Sequence, residues 1–128
     1  MPCGLDAIVS LAISPDFATD QTLVAGSENN GLWLSPDGGR SWQRLAEGLL
    51  EEPANSLLFL TGSGTAGLLA VTSSGLWHSQ APFNTWCNLL PDEYAGRELT
   101  AACPLLGENE ALKIAAGFVD GEIVIIPT

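Results

Sequence analysis

The sequence has few basic residues and few charges overall. Four Lys and Arg stand against 15 Asp and Glu in 128 residues, so the formal net charge is −11. A chain with so few cations has no basic stripe to neutralise phosphates, and we expect neither nucleic acid nor a membrane as a partner. Charged residues make up 15% of the chain, whereas about 25% is usual for soluble domains. The composition predicts a chain that buries much of itself or covers its surface in an assembly.

The sequence also has few cysteines and no long apolar run, and its first residues do not resemble a secretory signal. The three cysteines, Cys3, Cys87 and Cys103, are odd in number and form no Cys-x-x-Cys motif, so neither a disulfide framework nor a zinc site is expected. No basic segment followed by an apolar core begins the chain, and no apolar run approaches the ~20 residues that span a bilayer. The sequence predicts a cytoplasmic protein with no cofactor and no metal.

What the sequence does contain is an internal repeat. Gly31–Leu45 (GLWLSPDGGRSWQRL) and Gly75–Leu89 (GLWHSQAPFNTWCNL) align without gaps at an offset of 44 residues, and six of the fifteen positions are identical. The segments TLVAG (22–26), GLLAV (67–71) and KIAAG (113–117) extend the repeat to a third copy. These matches predict a single domain over residues 1–128, with repeat units at approximately 7–53, 54–97 and 98–128.

Each unit is a series of short apolar segments separated by turn residues, as expected for β-strands. The predicted first strands are apolar at nearly every position, and we expect both of their faces to be buried; they are Ile8–Ser14, Ser56–Thr61 and Leu99–Leu106. The TLVAG-like segments form the second strands. The third strands are Gly31–Ser35, Gly75–Ser79 and Gly121–Ile126, and the fourth are Ser41–Leu45 and Thr85–Leu89. Four strands per unit predict an all-β fold of β-propeller blades, about three four-stranded units with the last incomplete.

The turn between the third and fourth strands of the first unit reads Ser35-Pro36-Asp37-Gly38-Gly39-Arg40-Ser41-Trp42. It resembles an Asp-box, or BNR repeat, found in β-propellers such as sialidases, sorting-receptor domains and photosystem II assembly factors. The resemblance implies a structural role for five residues: Ser35, Asp37, Gly39, Ser41 and Trp42. We expect Asp37 to accept hydrogen bonds from backbone amides and Gly39 to adopt a positive φ. We expect Trp42 to cover the hairpin.

A degenerate copy of this turn follows in the second unit. Ser79, Thr85 and Trp86 remain, whereas Ala81 and Phe83 stand where the carboxylate and the glycine are expected.

The third unit stops inside the corresponding turn, before a fourth strand. Its last strand carries four successive β-branched residues, Ile123, Val124, Ile125 and Ile126, which we expect to form an exposed edge that pairs with another chain. Three blades are fewer than the 4 to 8 that close a propeller. We therefore expect a homo-oligomer, with a dimer of two three-blade halves favoured, and Met1–Leu5 could add a strand at the same edge. The alternative is that the chain is a portion of a larger propeller.

Catalytic chemistry has weak support in the residues. The sialidase resemblance implies three arginines around the propeller axis, but Arg40 and Arg44 fall in or beside the outer turn, and Arg97 is the one remaining arginine. The acidic clusters Asp92–Glu93, Glu51–Glu52 and Glu108 with Glu110 lie between predicted strands, where solvated charge is expected. His78 lacks a recognisable partner. Trp33 and Trp77 are expected to pack between blades and Tyr94 to anchor a loop.

The sequence thus favours a non-catalytic β-propeller module for protein interaction or assembly, with no catalytic residue assigned. The alternative is a carbohydrate-binding or glycosidase-like protein, related to sialidases, whose site forms only in the oligomer.

Overall fold

The chain is built from β-strands. The computed structural model describes residues 7–45, 52–60, 67–80, 83–94, 96–105 and 113–127. Within these ranges lie eleven strands, one α-helical turn, α1 (Phe17–Asp20), and one 3₁₀ turn (Asp92–Tyr94). No helix in these ranges is long and apolar enough to cross a membrane. The predicted all-β class is confirmed, while the expected strand at Met1–Leu5 lies outside the described residues.

The strands form three antiparallel sheets, each made of consecutive strands. The first sheet has the order β1 (Ile8–Ile13), β2 (Leu23–Ser27), β3 (Leu32–Ser35), β4 (Gln43–Leu45). The second has the order β5 (Ser56–Leu60), β6 (Gly67–Val71), β7 (Leu76–Gln80), β8 (Cys87–Asn88). The third has β10 (Lys113–Phe118) between β11 (Ile123–Pro127) and β9 (Leu99–Leu105). Predicted and observed strand ends differ by at most two residues.

The second sheet lies between the other two, and its central strand is buried on both faces. Every residue of β6 is buried. Leu68 and Ala70 pack in one apolar cluster with residues of the first sheet, including Val24, Leu32 and Leu34. Leu69 and Val71, on the opposite face, pack in a second cluster with residues of the third sheet, including Ile114, Ala116 and Phe118. Because side chains alternate along a strand, each sheet-to-sheet contact uses every second residue.

The first and third sheets each have one uncovered face, which corrects the prediction for their first strands. β1 and β9 were expected to be buried on both faces, and this is wrong. Leu11 and Ile13 are each 59% exposed, while Ala12 between them is buried. In β9, Leu99 is buried, but Cys103 and Leu105 are exposed. An apolar strand is buried on both faces only where sheets cover both faces, and within the described chain that holds for the second sheet.

All three sheets have the same orientation. Ala54, just before β5, lies against Gly26 near the end of β2, since a Cβ on Gly26 would meet the Ala54 Cβ at 3.4 Å. The Leu99 amide, at the start of β9, donates a 2.8 Å hydrogen bond to the Ser73 carbonyl in the β6–β7 hairpin. Each first strand therefore starts beside the hairpin of the preceding sheet. We call this the hairpin end of the stack and the opposite end, which carries α1, the α1 end.

Substitutions on the two faces of β6 test this arrangement. We expect Leu68→Ala and Leu69→Ala each to lower the free energy of unfolding by about 2–5 kcal/mol, because each removes a fully buried side chain from a different cluster. Val119→Ala, at an exposed turn position, should change it by less than about 0.5 kcal/mol. Urea unfolding measures all three. A near-neutral effect at either leucine would mean that its face of the second sheet is not packed.

Candidate functional site

The turn at 35–42 is organised by one carboxylate. Asp37 Oδ1 accepts hydrogen bonds from the backbone amides of Arg40 (3.0 Å) and Ser41 (2.8 Å). The Ser41 hydroxyl donates to Asp37 Oδ2 at 2.6 Å, and the Ser35 hydroxyl donates to Oδ1 at 2.9 Å. Ser35 Oγ in turn accepts the Gly39 amide at 2.8 Å. The polar atoms of the turn bond to one another, which stabilises its backbone.

These hydrogen bonds change the acidity of Asp37. The hydroxyl of Ser41, followed by its backbone amide, lowers the Asp37 pKa from 3.8 to about 2. Hydrogen bonds to the ionised form favour that form. The carboxylate is therefore charged at every physiological pH, and this low pKa makes it unsuited to act as a general acid.

Two glycines and a tryptophan complete this turn. Gly38 and Gly39 have φ angles of 75° and 97°, in a region that residues other than glycine rarely adopt. The Trp42 indole N–H donates to the Gly39 carbonyl at 3.1 Å, and the ring lies partly buried over the turn. The Gly38 amide donates to the Gln21 carbonyl, which ties the turn to the residue after α1. The five residues that resemble an Asp-box thus lie together at the α1 end.

The second turn keeps the hydrogen bond from the tryptophan side chain to a backbone carbonyl, although its sequence has no carboxylate at the position of Asp37. The Trp86 indole N–H donates to the Phe83 carbonyl at 3.2 Å, as Trp42 does to Gly39, and the Ser79 hydroxyl donates to the Thr85 carbonyl at 2.5 Å. Phe83 occupies the glycine position with φ 66°. This conformation is not expected from the sequence, because a phenylalanine rarely takes a positive φ.

Burial of the Phe83 side chain accounts for its unfavourable backbone conformation. The ring is buried in the cluster between the first and second sheets and meets Phe59 edge to face, with centroids 6.5 Å apart. A buried aromatic ring contributes about 3–5 kcal/mol, whereas a left-handed residue costs about 1–2 kcal/mol. The packing outweighs the strain. Ala81, which replaces the carboxylate, lies outside the described residues.

A shallow depression of about 270 Å³ lies beside the second turn, lined by His78, Ser79, Gln80, Thr85, Trp86 and Cys87. His78 and Cys87 are register partners on β7 and β8, a juxtaposition that sequence reasoning missed. The predicted β7–β8 hairpin contained the signal, since pairing across it sets opposite residues. Partial burial lowers the pKa of His78, which favours the neutral imidazole. The volume is below the roughly 300–1,000 Å³ of most ligand pockets.

The three arginines lie apart in the fold. Arg40 is exposed in the first turn, and the Arg44 guanidinium lies 5.6 Å from the Trp33 ring centroid on the first sheet. Arg97 binds Asp120 at 2.9 Å and Glu122 at 2.6 Å. These positions bring no two arginines to one carboxylate-binding point within the described chain.

Arg97 instead fixes the third sheet to the preceding loop. Its guanidinium lies over the Phe118 ring, 4.1 Å from the centroid, and Phe118 stacks on Tyr94. Tyr94 is partly buried against the cluster between the second and third sheets.

The acidic residues form no described site. Asp92 and Glu93 are exposed on the 3₁₀ turn, and Glu52 accepts hydrogen bonds from the Ser73 and Ser74 hydroxyls. Glu51, Glu108 and Glu110 lie outside the described residues. Among the residues that can be described, no group of three or more His, Cys, Asp or Glu side chains could hold a metal ion.

Two apolar sheet faces are not covered by another sheet within the described residues. The first open face is the side of the first sheet turned away from the second. Val9, Leu11 and Ile13 are exposed on it, Trp33 is half-buried, and Ala25 on the same side is buried. The second open face is the side of the third sheet turned away from the second, and it consists of Ala101, Cys103, Leu105, Ala115, Ile123 and Ile125. Exposed apolar faces of this kind mark interaction surfaces.

The predicted oligomer edge has two different sides. β11 lies at the edge of the third sheet, and Ile123 and Ile125 are 73% and 53% exposed on the second open face. Ile126 is buried and Val124 partly buried, both in the cluster with the second sheet. Only alternate residues of β11 are therefore available to another chain through their side chains.

No protein-family model matches this chain, and no curated protein matches it at a significant level. Its function is therefore inferred from its own residues and geometry.

The low pKa of Asp37 predicts a pH-dependent contribution to stability. The folded pKa of about 2 lies below the reference value of 3.8, so ionised Asp37 stabilises the fold above pH 3.8. That contribution is lost as the pH falls toward 2. We expect Asp37→Asn to be less stable than the parent at pH 7, with the difference shrinking below pH 4.

Urea unfolding at several pH values measures this difference. Asp92→Asn is the matched control, because Asp92 is exposed on the 3₁₀ turn and lies outside the turn at 35–42. A pH-independent difference between the parent and Asp37→Asn would contradict the assigned hydrogen bonds.

Phe83 allows the backbone strain to be separated from the packing. Phe83→Ala and Phe83→Gly should both lower stability by about 3–5 kcal/mol through the lost ring. Phe83→Gly should nevertheless be more stable than Phe83→Ala by about 1 kcal/mol, since glycine tolerates the positive φ. Thermal and urea unfolding give the order. Alanine equal to or more stable than glycine would show that the residue is not held in the left-handed region.

Proposed function

We propose that the chain is a non-catalytic β-propeller module that acts by assembly with other sheets and presents its loops to a protein partner. Each of the three sheets would serve as one blade. The observation that carries this proposal is the pair of open apolar faces, one at each side of the stack. A three-sheet stack that ends in two such faces is suited to insertion in a longer series of sheets.

The turns at the α1 end support a structural role. The Asp37 oxygens are occupied by donors from within the turn, and the Trp42 and Trp86 indole N–H groups donate to carbonyls of their own turns. Groups that already have partners gain little from a ligand. We therefore assign these turns to the stability of the sheets.

An enzymatic role within one chain has little support in the same geometry. Bidentate recognition of a substrate carboxylate needs guanidinium groups at one point, and Arg97 is bound to Asp120 and Glu122 on the third sheet. Asp92 and Glu93, the adjacent acids of the 3₁₀ turn, are exposed. Glycoside hydrolysis requires two carboxyl groups held at a fixed separation across the substrate.

The solution mass of the particle tests the proposal. Light scattering across a dilution series should give a defined oligomer rather than the 13.4 kDa monomer. Added salt should strengthen the association, because it screens repulsion between chains that each carry a charge of −11. A monomer at all concentrations, with no binding of other blade-containing chains, would contradict an assembly function.

A further inference from the structure

We propose that the two open faces are complementary halves of one interface, and that the second open face of one copy covers the first open face of another copy. The two chains then associate head to tail. This inference rests on the proposed assembly function and specifies its partner as a second copy of this chain and its contact as a pair of sheet faces.

The first open face is the repeat counterpart of a face that is already covered within the chain. Leu11, Ala25 and Trp33 are consecutive register partners across β1, β2 and β3. Their counterparts in the second sheet are Leu57, Ala70 and Trp77, which are register partners across β5, β6 and β7. These three residues pack against the first sheet. The first open face therefore has the residue pattern of a face that packs against the sheet before it in the series.

The second open face corresponds, in the repeat, to the face with which the first and second sheets each pack against the sheet that follows. Cys103, Ala115 and Ile125 are register partners across β9, β10 and β11. The equivalent row in the first sheet is Ala12, Val24 and Leu34, which packs against the second sheet. The equivalent row in the second sheet is Leu58, Leu69 and His78, of which the two leucines pack against the third sheet. The second open face therefore has the residue pattern of a face that packs against the sheet after it in the series.

The two open faces thus correspond to the two kinds of face that pack against each other between neighbouring sheets within the chain. Continuing the same packing step places the third sheet of one copy against the first sheet of the next. Two copies contribute six sheets, which falls within the 4 to 8 that close a propeller. A twofold axis then makes both interfaces identical and leaves no apolar face open.

Charge on the chain also favours this direction of pairing. Lys113, the only lysine in the sequence, is exposed at the α1 end of β10, and its register partners are Leu105 and Pro127. Asp16 is exposed beside α1, at the same end of the first sheet. Because all sheets have one orientation, head-to-tail stacking brings Lys113 of one copy to the end that carries Asp16 of the other. Opposite charges at this point offset part of the repulsion between the two acidic chains.

Lysine substitutions on the second open face test the interface. We expect Ile123→Lys combined with Ile125→Lys to raise the dimer Kd by about 100-fold or more, because association would bury two unpaired charges. Val119→Lys is the matched control, since Val119 is 66% exposed in the turn after β10, and it should leave the Kd unchanged. Light scattering measures association and circular dichroism confirms the fold. An unchanged Kd in the folded double variant would overturn the proposal.

Cross-linking tests the direction of pairing. Packed sheets lie about 10 Å apart, beyond the 4.4–6.8 Å between Cα atoms that a disulfide spans, so a bis-maleimide of about that reach is suitable. In a background with Cys3→Ser and Cys87→Ser, Leu11→Cys should cross-link to the native Cys103 of the other copy. Products should stop at two covalently joined chains. The background variant, with Cys103 alone, is the control.

The outcomes separate this proposal from the proposed function. Cross-linking of the Cys103-only control would indicate that like faces pair and would overturn the head-to-tail arrangement. A ladder of longer products would overturn the closed pair of copies. An oligomer that yields no Leu11→Cys product would overturn the proposed interface and leave the assembly function standing. A parent chain that remains monomeric would overturn the proposed interface, and it would contradict the assembly function as well if the chain also binds no other blade-containing chain.

If the lysine variants fail to fold, a charge exchange provides the same test. Lys113→Glu and Asp16→Lys should each weaken the dimer by a few fold, and the double variant should restore the parental Kd. Additive weakening in the double variant would contradict the predicted proximity of these residues.

Discussion

Burial of the second sheet on both faces is the interaction on which the rest of the structure depends. β6 contributes alternate residues to two apolar clusters, one shared with each neighbouring sheet. A sheet covered on one side needs polar residues on the other, but a central sheet can be apolar throughout. This explains how the chain accommodates a composition that is 46% hydrophobic. It also explains why the end sheets, built from the same repeat, are left with one apolar face each.

The turns between β3 and β4 and between β7 and β8 contribute to this arrangement by fixing the hairpins of the first two sheets. Asp37 and its partners stabilise the first turn through hydrogen bonds, while Phe83 stabilises the second through burial of its ring. The two turns share the tryptophan-to-carbonyl hydrogen bond and a positive φ at the same repeat position. Two different sources of free energy thus produce a similar backbone. The loss of a carboxylate in one repeat does not require the loss of the turn.

The open faces connect the fold to the proposed function. A repeat that packs its own copies face to face leaves complementary faces at the two ends of the stack. Those faces are buried when another sheet packs against each of them, either in a longer series of sheets or in a closed ring. Pairing through alternate residues of β11, together with β9 and β10, uses a broad surface, whereas pairing through the backbone edge of β11 would use one strand. The predicted edge residues Ile123 and Ile125 belong to this surface, while Val124 and Ile126 belong to the core.

The sequence by itself determined the all-β class, the positions of the strands and the repeat. These features depend on local causes: alternation of apolar residues, turn residues and the spacing of tryptophans. Only the tertiary structure decided which faces are covered, because coverage depends on the number of sheets and their order. It alone revealed that Leu11 and Ile13 are exposed although their strand is apolar. Likewise, the neighbours of His78 and the left-handed conformation of Phe83 follow from strand register and core packing, which no single segment contains.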